Sequence, residues 1–433
     1  NAVNFKLEYE FEKMELTSIT GYVKTERDFG ENIWSTPLEA FAVVHAEDME
    51  QFSQELRLSG DADKFRWIVG GYYWNDTFES VNEANSADIL GLLAGVTPVA
   101  WQNDQETEAW AAFASIDWDL TETLMLTTGL RYSTEKTEFK GGTQGTIVDS
   151  AAFDGFVGAE LGIPEGSVIP FTETDDEIDE DNTSYRVALE WRPSDEWLTY
   201  GSVTTGFKSG GFFGDFTFDN EELEPFDSET VTAYEMGAKG TLADGKAQLN
   251  GAIFYYDYQD IQTFVQGSVG FKLGNLDKAA IAGAEIELLA SPLDGLDLRL
   301  GASYLDTEVE DSNPAFDGNE LPNSPKYQAT GTVRYEFPVG ETMAIALQAD
   351  AKYTDDMYRE SANNPRLATE GYTVLNLRGS LLAQEGTWEV AAWVKNAADE
   401  EYGQERFGSD IIGQYVELQG NPRTYGVTLN YNF

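Results

Sequence analysis

The 433-residue sequence contains no cysteine and a single histidine, His45. Disulfides, thiol nucleophiles and cysteine-based metal sites are therefore excluded, as is any metal site built from several histidines. A Ser-His-Asp triad would have to recruit His45, which lies in a polar, loop-like stretch. Basic residues are scarce: 27 Lys and Arg stand against 77 Asp and Glu, a net charge of −50. Nucleic acid is excluded as a partner, because phosphate contacts need clustered Lys and Arg. No run of roughly 18 apolar residues occurs, so no helix spans a membrane. Pro- or Ser-rich linkers and helical periodicity are missing too. Length alone suggests two or three domains, but the uninterrupted pattern predicts one domain over residues 1–433.

What is present is 41% hydrophobic and 13% aromatic residues, too much for a disordered chain. They are arranged with period two. Tyr425, Val427, Leu429, Tyr431 and Phe433 alternate with Thr424, Gly426, Thr428, Asn430 and Asn432. Such alternation is a strand whose two faces meet different environments. The same pattern runs through Leu124–Tyr132, Tyr185–Trp191, Leu296–Tyr304 and Ile345–Tyr353. These runs last roughly 10–16 residues, longer than soluble strands and long enough to cross a bilayer at a tilt. Aromatics near their ends, such as Trp67 with Tyr73 and Trp191 with Trp197, resemble interfacial girdles.

Connections alternate between short and long. Short turns are expected at Glu12-Lys13, Asp61-Ala62-Asp63, Leu120-Thr121-Glu122, Pro193-Ser194-Asp195, Ala243-Asp244-Gly245, Pro292-Leu293-Asp294-Gly295, Pro338-Val339-Gly340 and Gln384-Glu385-Gly386. Long polar connections are expected near 26–49, 79–104, 141–182, 208–227, 262–278, 310–322, 358–368 and 403–422. Tight periplasmic turns and large extracellular loops mark an all-β, antiparallel transmembrane barrel of the outer-membrane type. A soluble propeller or sandwich is the alternative, but its charged second face would leave no continuous core. About 17 strands are counted, the first near 3–11 and descending from the loop side. Single-chain barrels have even strand numbers, so the odd count predicts an N-terminally truncated barrel. The absence of an initiator Met and a signal peptide agrees with truncation or processing.

Several segments resemble the C-terminal part of the barrel of a TonB-dependent outer-membrane receptor. They are Ser18-Ile19-Thr20-Gly21-Tyr22, Gln54-Glu55-Leu56-Arg57-Leu58 leading to Trp67–Tyr73, and Gly206–Phe212. Gly283-Ala284-Glu285-Ile286-Glu287 before Pro292, Val394–Tyr402, and Pro422-Arg423-Thr424-Tyr425-Gly426 complete the set. The resemblance spans essentially the whole chain. It implies a 22-strand barrel, of which about 17 strands are present here, with the plug domain and TonB box absent. It further implies outer-membrane lipid and lipopolysaccharide as surroundings, a TonB complex coupled through the N-terminal region of the full protein, and a Gram-negative outer-membrane location. Tyr425, Val427, Leu429, Tyr431 and Phe433 resemble the signal read by the barrel-assembly machinery.

The implied activity is energised uptake of a scarce solute, with a ferric siderophore as cargo. An oligosaccharide or a cobalamin-like ligand competes with it, and a passive porin-like channel or a soluble surface binding protein are the other readings. Extracellular-loop candidates for the small-molecule or metal-chelate ligand are Lys208, Phe212, Phe213 and Phe216 in one loop and Arg359 and Arg366 in another. Phenylalanines can stack on a ligand and guanidiniums can grip an anion; sealing of the mouth and salt bridging within the loops are the structural alternatives. The run Glu173, Asp175, Asp176, Glu177, Asp179, Glu180, Asp181 is read as a solvated loop or a Ca²⁺ site. Carboxylate pairs such as Glu285 and Glu287 are read as lumen residues rather than a hydrolytic pair, so neither enzyme activity nor a cofactor is expected.

Overall fold

The structure, a computed structural model, describes residues 1–32, 42–84, 95–157, 161–267, 271–383, 385–409 and 414–432. Strands β1 (Ala2–Glu10), β2 (Met14–Asn32), β3 (Ala42–Ala62), β4 (Phe65–Ala84), β5 (Val96–Asp119) and β6 (Leu124–Ile147) follow one another as hairpins. Helix α1 (Ser150–Val157) and the short β7 (Val168–Pro170) precede β8 (Thr174–Ser194), β9 (Trp197–Lys208), β10 (Glu229–Leu242), β11 (Ala247–Gln266), β12 (Phe271–Leu293) and β13 (Leu296–Glu310). Then come β14 (Tyr327–Val339), β15 (Met343–Thr354), β16 (Tyr372–Ala383) and β17 (Trp388–Lys395). A separate hairpin of β18 (Gly403–Ser409) and β19 (Gln414–Gln419) lies before the last strand, β20 (Thr424–Tyr431).

Apart from that hairpin, all strands join one 18-stranded sheet, a meander in which β6 pairs with β8 and β17 with β20. Without the three-residue β7, that sheet contains the 17 long strands expected from the sequence. Among the described residues β1 pairs only with β2 and β20 only with β17, so the sheet has two free edges. The end of β20, Tyr431, lies beside Trp388 at the turn end of β17, whereas Ala2 opens β1 opposite Val23, away from the turn.

Period two decides which face points where. Tyr185, Leu189 and Trp191 pair across to Leu130, Leu126 and Leu124 through one outward row after another, and all three are exposed. Tyr425, Val427, Leu429 and Tyr431 are 60–81% exposed, and Ile253, Ile286, Leu300 and Leu347 lie open on the same outer side. An apolar surface of that extent is unstable against water and requires a hydrocarbon partner. The opposite face is polar and internally hydrogen-bonded. Asn430 and Arg378 both donate to Glu389 (3.0 and 2.9 Å), Thr332 donates to Asp350 (2.8 Å), and Tyr200 donates to Glu235 (2.6 Å). Phe433, expected to end the outward row, and Gln384, expected in the last short turn, lie outside the described residues. The other short turns sit where expected. Gly295 holds its turn at φ +80°, where a side chain would strike the Glu336 carbonyl.

Several connections expected to be loops are strand instead. β2 and β3 extend through most of 26–49, β4 and β5 through much of 79–104, and β11 and β12 through most of 262–278. The acidic run is likewise not a loop. Asp175–Asp181 lie on β8, in register with Lys140–Thr134 of β6. Asp175, Glu177, Asp179 and Asp181 share the outward parity of Tyr185, and Glu177 pairs with Lys136 at 2.9 Å. His45 also sits on a strand, β3, stacked on Phe29 with ring centroids 4.4 Å apart. Its Nδ1 is 2.7 Å from the Asn82 side-chain oxygen. The reason is common to all three. Beyond the bilayer the outward face of a strand meets water, so no continuous outward apolar row marks it, while the ladder of hydrogen bonds continues.

Candidate functional site

Among the described residues the buried apolar clusters lie towards the long-loop end of the sheet, and Phe212 and Phe216 of the candidate ligand residues pack in them. The connection between β9 and β10, residues 209–228, folds as a strap over the inner face of the extended strands β3–β8. Phe212 is 8% exposed and stacks on Phe139 of β6, centroids 4.9 Å apart and planes 8° off parallel, with Leu223 beside it. Phe216 meets Trp101 at 5.4 Å and Phe218 at 4.7 Å, and packs against Val43 and Ala84. Phe213 is half-buried, and Lys208, the last residue of β9, is exposed.

Polar contacts fix the strap as firmly as the rings do. The buried hydroxyl of Thr217 lies 3.3 Å from that of Thr143 and 2.7 Å from that of Thr172, and the Thr217 N–H donates to Thr143. The Gly210 N–H donates to Glu180 at 3.0 Å, so one of the acidic-run residues turns inward to hold this loop. A side chain at position 210 would meet both that carboxylate and the Phe226 carbonyl, which is the local need for glycine. Asn103 of β5 donates to the Gly214 carbonyl. A short turn at Asn220–Glu222 is closed by an Asp219/Glu222 capping box. At the other end, the Gln262 amide of β11 donates to the Ser209 and Asp227 carbonyls (2.8 and 3.1 Å). Its ladder partner Asn275 donates to the Asp227 carbonyl and accepts from the Asp227 N–H (2.9 and 2.8 Å).

The second group of candidates lies on residues 355–371, between β15 and β16. The Arg359 side chain is only 7% exposed. It donates to Thr369 (2.8 Å), Asn323 (2.7 Å) and the Gly403 carbonyl (3.2 Å), and Glu405 lies 3.9 Å away. Arg366 donates to the Tyr415 hydroxyl at 3.0 Å, with its guanidinium 5.8 Å above that ring. Arg406 bonds the Ala368 carbonyl and pairs with Glu417 at 2.8 Å. Three arginines thus fasten the β18–β19 hairpin to the 355–371 loop. Just before β14, Lys326 is held above the ordinary lysine value by the hydrogen bond and charge of Asp306, 3.0 Å away.

The six candidates therefore fall in two loop blocks. Phe212, Phe216 and Arg359 spend their contacts inside those blocks, while Lys208, Phe213 and Arg366 lie nearer the surface. Sequence inspection missed Thr143, Thr172, Thr217, Gln262 and Asn275 among the residues that shape the mouth, and it named Glu180 only within the acidic run. No local signal exposes them, because their partners lie on other hairpins. Among the described residues no set of three or more His, Asp or Glu is placed to hold a metal ion.

The sequence profile of the family described as "TonB dependent receptor-like, beta-barrel" matches residues 1–397. The pesticin receptor of Yersinia enterocolitica is 25% identical over 283 residues, covering 65% of this chain and 37% of that protein. The crystal structure of the ferric yersiniabactin uptake receptor FyuA from Yersinia pestis superimposes with a TM-score of 0.81 at 19% identity, over 100% of this chain and 61% of that one. The siderophore receptor PiuA from Acinetobacter baumannii gives a TM-score of 0.74 at 18% identity, over 99% and 63%. The chain thus spans about a third of that curated relative and about three-fifths of the solved ones.

Proposed function

The chain belongs to the TonB-dependent receptor β-barrel family, and on that premise we propose that it forms the wall and mouth of a receptor that takes up a ferric siderophore. It is a protein of the Gram-negative outer membrane and not an enzyme. Residues 1–433 act as one barrel domain, whose free edges β1 and β20 need further strands to close the wall. The apolar outer face contacts lipid and lipopolysaccharide, and energy comes from a TonB complex acting on the full-length protein.

The observation that carries this reading is the kinship with siderophore receptors, which runs from the first strand through the mouth. Closing the barrel also supports it, because an unpaired edge in hydrocarbon leaves its N–H and C=O groups unsatisfied at several kcal/mol each. The test is uptake by a strain lacking the full-length gene, grown under iron limitation and offered labelled ferric siderophores one at a time. The expected result is loss of uptake of one chelate, restored by the intact gene and abolished again when TonB is removed. Unchanged iron uptake with lost uptake of an oligosaccharide or a cobalamin would replace the cargo. Ligand-independent conductance without need of TonB would make the protein a porin.

A further inference from the structure

The upper part of β11 stands between the two loop blocks and touches both through the consecutive residues Gln262 and Thr263. Gln262 reaches the strap: its amide donates to the Ser209 and Asp227 carbonyls, while its N–H donates at 2.7 Å to Glu229, the first residue of β10. Thr263 reaches the other block: its hydroxyl lies 2.7 Å from that of Ser361, which is 1% exposed. The Ser361 carbonyl accepts from Asn319 at 2.9 Å, and Asn363 exchanges two 2.8 Å bonds with the backbone of Glu320. Consecutive strand residues point to opposite faces, so one strand can serve both blocks only through such neighbours.

The backbone is arranged for this. Tyr258 and Ile261, three residues apart, both pack on the cluster of Leu276, Ala279, Val309 and Leu321. Strict alternation would send them to opposite faces. Between them Asp260 adopts φ +53°, and its carbonyl accepts from Asn275 at 2.6 Å. A positive φ at a non-glycine residue is costly and persists only where its surroundings hold it. The irregularity switches the parity of the strand. Ile261 and Val265 then face the cluster beneath the 311–326 loop, and Gln262 faces the strap.

We infer that this part of β11 is a mechanical coupler: Gln262 and Thr263 are positioning residues that make the strap and the 355–371 block respond together when either is displaced. The inference concerns the mouth itself and holds whichever cargo is carried. Coupling of this kind is reciprocal, and that property supplies the test.

Hydrogen–deuterium exchange is measured on the full-length receptor in detergent, comparing wild type with Gln262→Leu, Thr263→Val and Ser361→Ala. Among the described residues Gln262 hydrogen-bonds to the strap and its flanking residues Lys208 and Glu229 but to none of 355–371, and Ser361 hydrogen-bonds to no strap residue. The expected result is that Gln262→Leu speeds exchange in 355–371, and that Ser361→Ala speeds exchange in 209–228. Each remote effect should be about fivefold, the loss of roughly one net hydrogen bond. The Gln262→Leu and Thr263→Val effects should also be non-additive in the double variant. Exchange in β14–β17 and heat-modifiable migration serve as controls for intact assembly. Acceleration confined to the block each residue touches would overturn the inference. If Gln262→Leu does not assemble, the Ser361→Ala arm alone decides, through the presence or absence of faster exchange in the strap.

Discussion

Strands β3–β8 form a tall wall and β14–β20 a low one. The long members of the first set, β3, β4, β5, β6 and β8, run 20–24 residues, whereas β14, β15, β16, β17 and β20 run 8–13. About 9–11 residues suffice to cross a bilayer at a tilt, so the low wall is little more than a membrane span. The tall wall adds a second storey in water. Its outward residues there are Asp48, Glu50, Glu79, Asp104, Glu106, Glu108, Glu138 and Glu177, in line with Phe52, Trp110 and Tyr132 below. Its inward residues bind the strap. The low wall instead is crowned by loops and by the arginine-fastened hairpin. The same ladder of hydrogen bonds therefore serves two solvents, and only the side chains change.

The difference can be broken from the lipid side first. Val427→Arg, outward at the middle of β20, should cost up to about 4 kcal/mol of assembly free energy, since an arginine near the midplane costs about 2–4 kcal/mol. Glu106→Arg, outward on the upper storey, should barely register, and Asn430→Ala on the lumen face should be mild. Heat-modifiable migration after refolding into lipid reads all three. Equal losses would erase the distinction between storeys.

Phe212→Ala comes next. Removing a stacked, buried ring should destabilise the strap by about 3 kcal/mol, at the lower end of large-to-small core changes. Proteolysis within 209–228 should accelerate while the sheet stays intact; an unchanged cleavage rate would mean that the polar anchors alone hold the strap. Arg359→Met tests the crown of the low wall. Losing its charged hydrogen bonds to Thr369, Asn323 and Gly403 should cost about 2 kcal/mol locally, read as faster exchange in the β18–β19 hairpin and little change in the strap's contacts with β6. The smallest effect belongs to Lys140→Met. Its ion pair with Asp175, 3.5 Å apart with both side chains largely exposed, should contribute nothing measurable at physiological salt. A clear loss of stability there would mean that the outward charges of the tall wall are structural rather than solvating.

Legibility followed the solvent boundary. Tyr185, Val187, Leu189 and Trp191 announced their strand and its outward face because each neighbour in the row had to avoid water while the residues between them did not. Asp175, Glu177, Asp179 and Asp181 alternate on the very same strand, yet they read as a loop, since Ile178 is the single apolar residue among them and one residue shows no period. The candidate site was legible at the level of which loops form the mouth. It was not legible at the level of roles: Phe212 and Arg359 have the chemistry of ligand contacts, and the structure commits both to internal partners.

What the sequence determined by itself is the period-two alternation, the short turns, the number of long strands and the sidedness of the chain. Each of these is enforced by contacts within one hairpin or by the contrast between hydrocarbon and water. Only the tertiary structure decided how far the strands rise above the membrane and which residues lock the mouth. Thr143 and Thr217 meet across 74 residues of chain, and Thr263 and Ser361 across 98. Pairings at that distance follow from how hairpins stack side by side, and no local spacing encodes them.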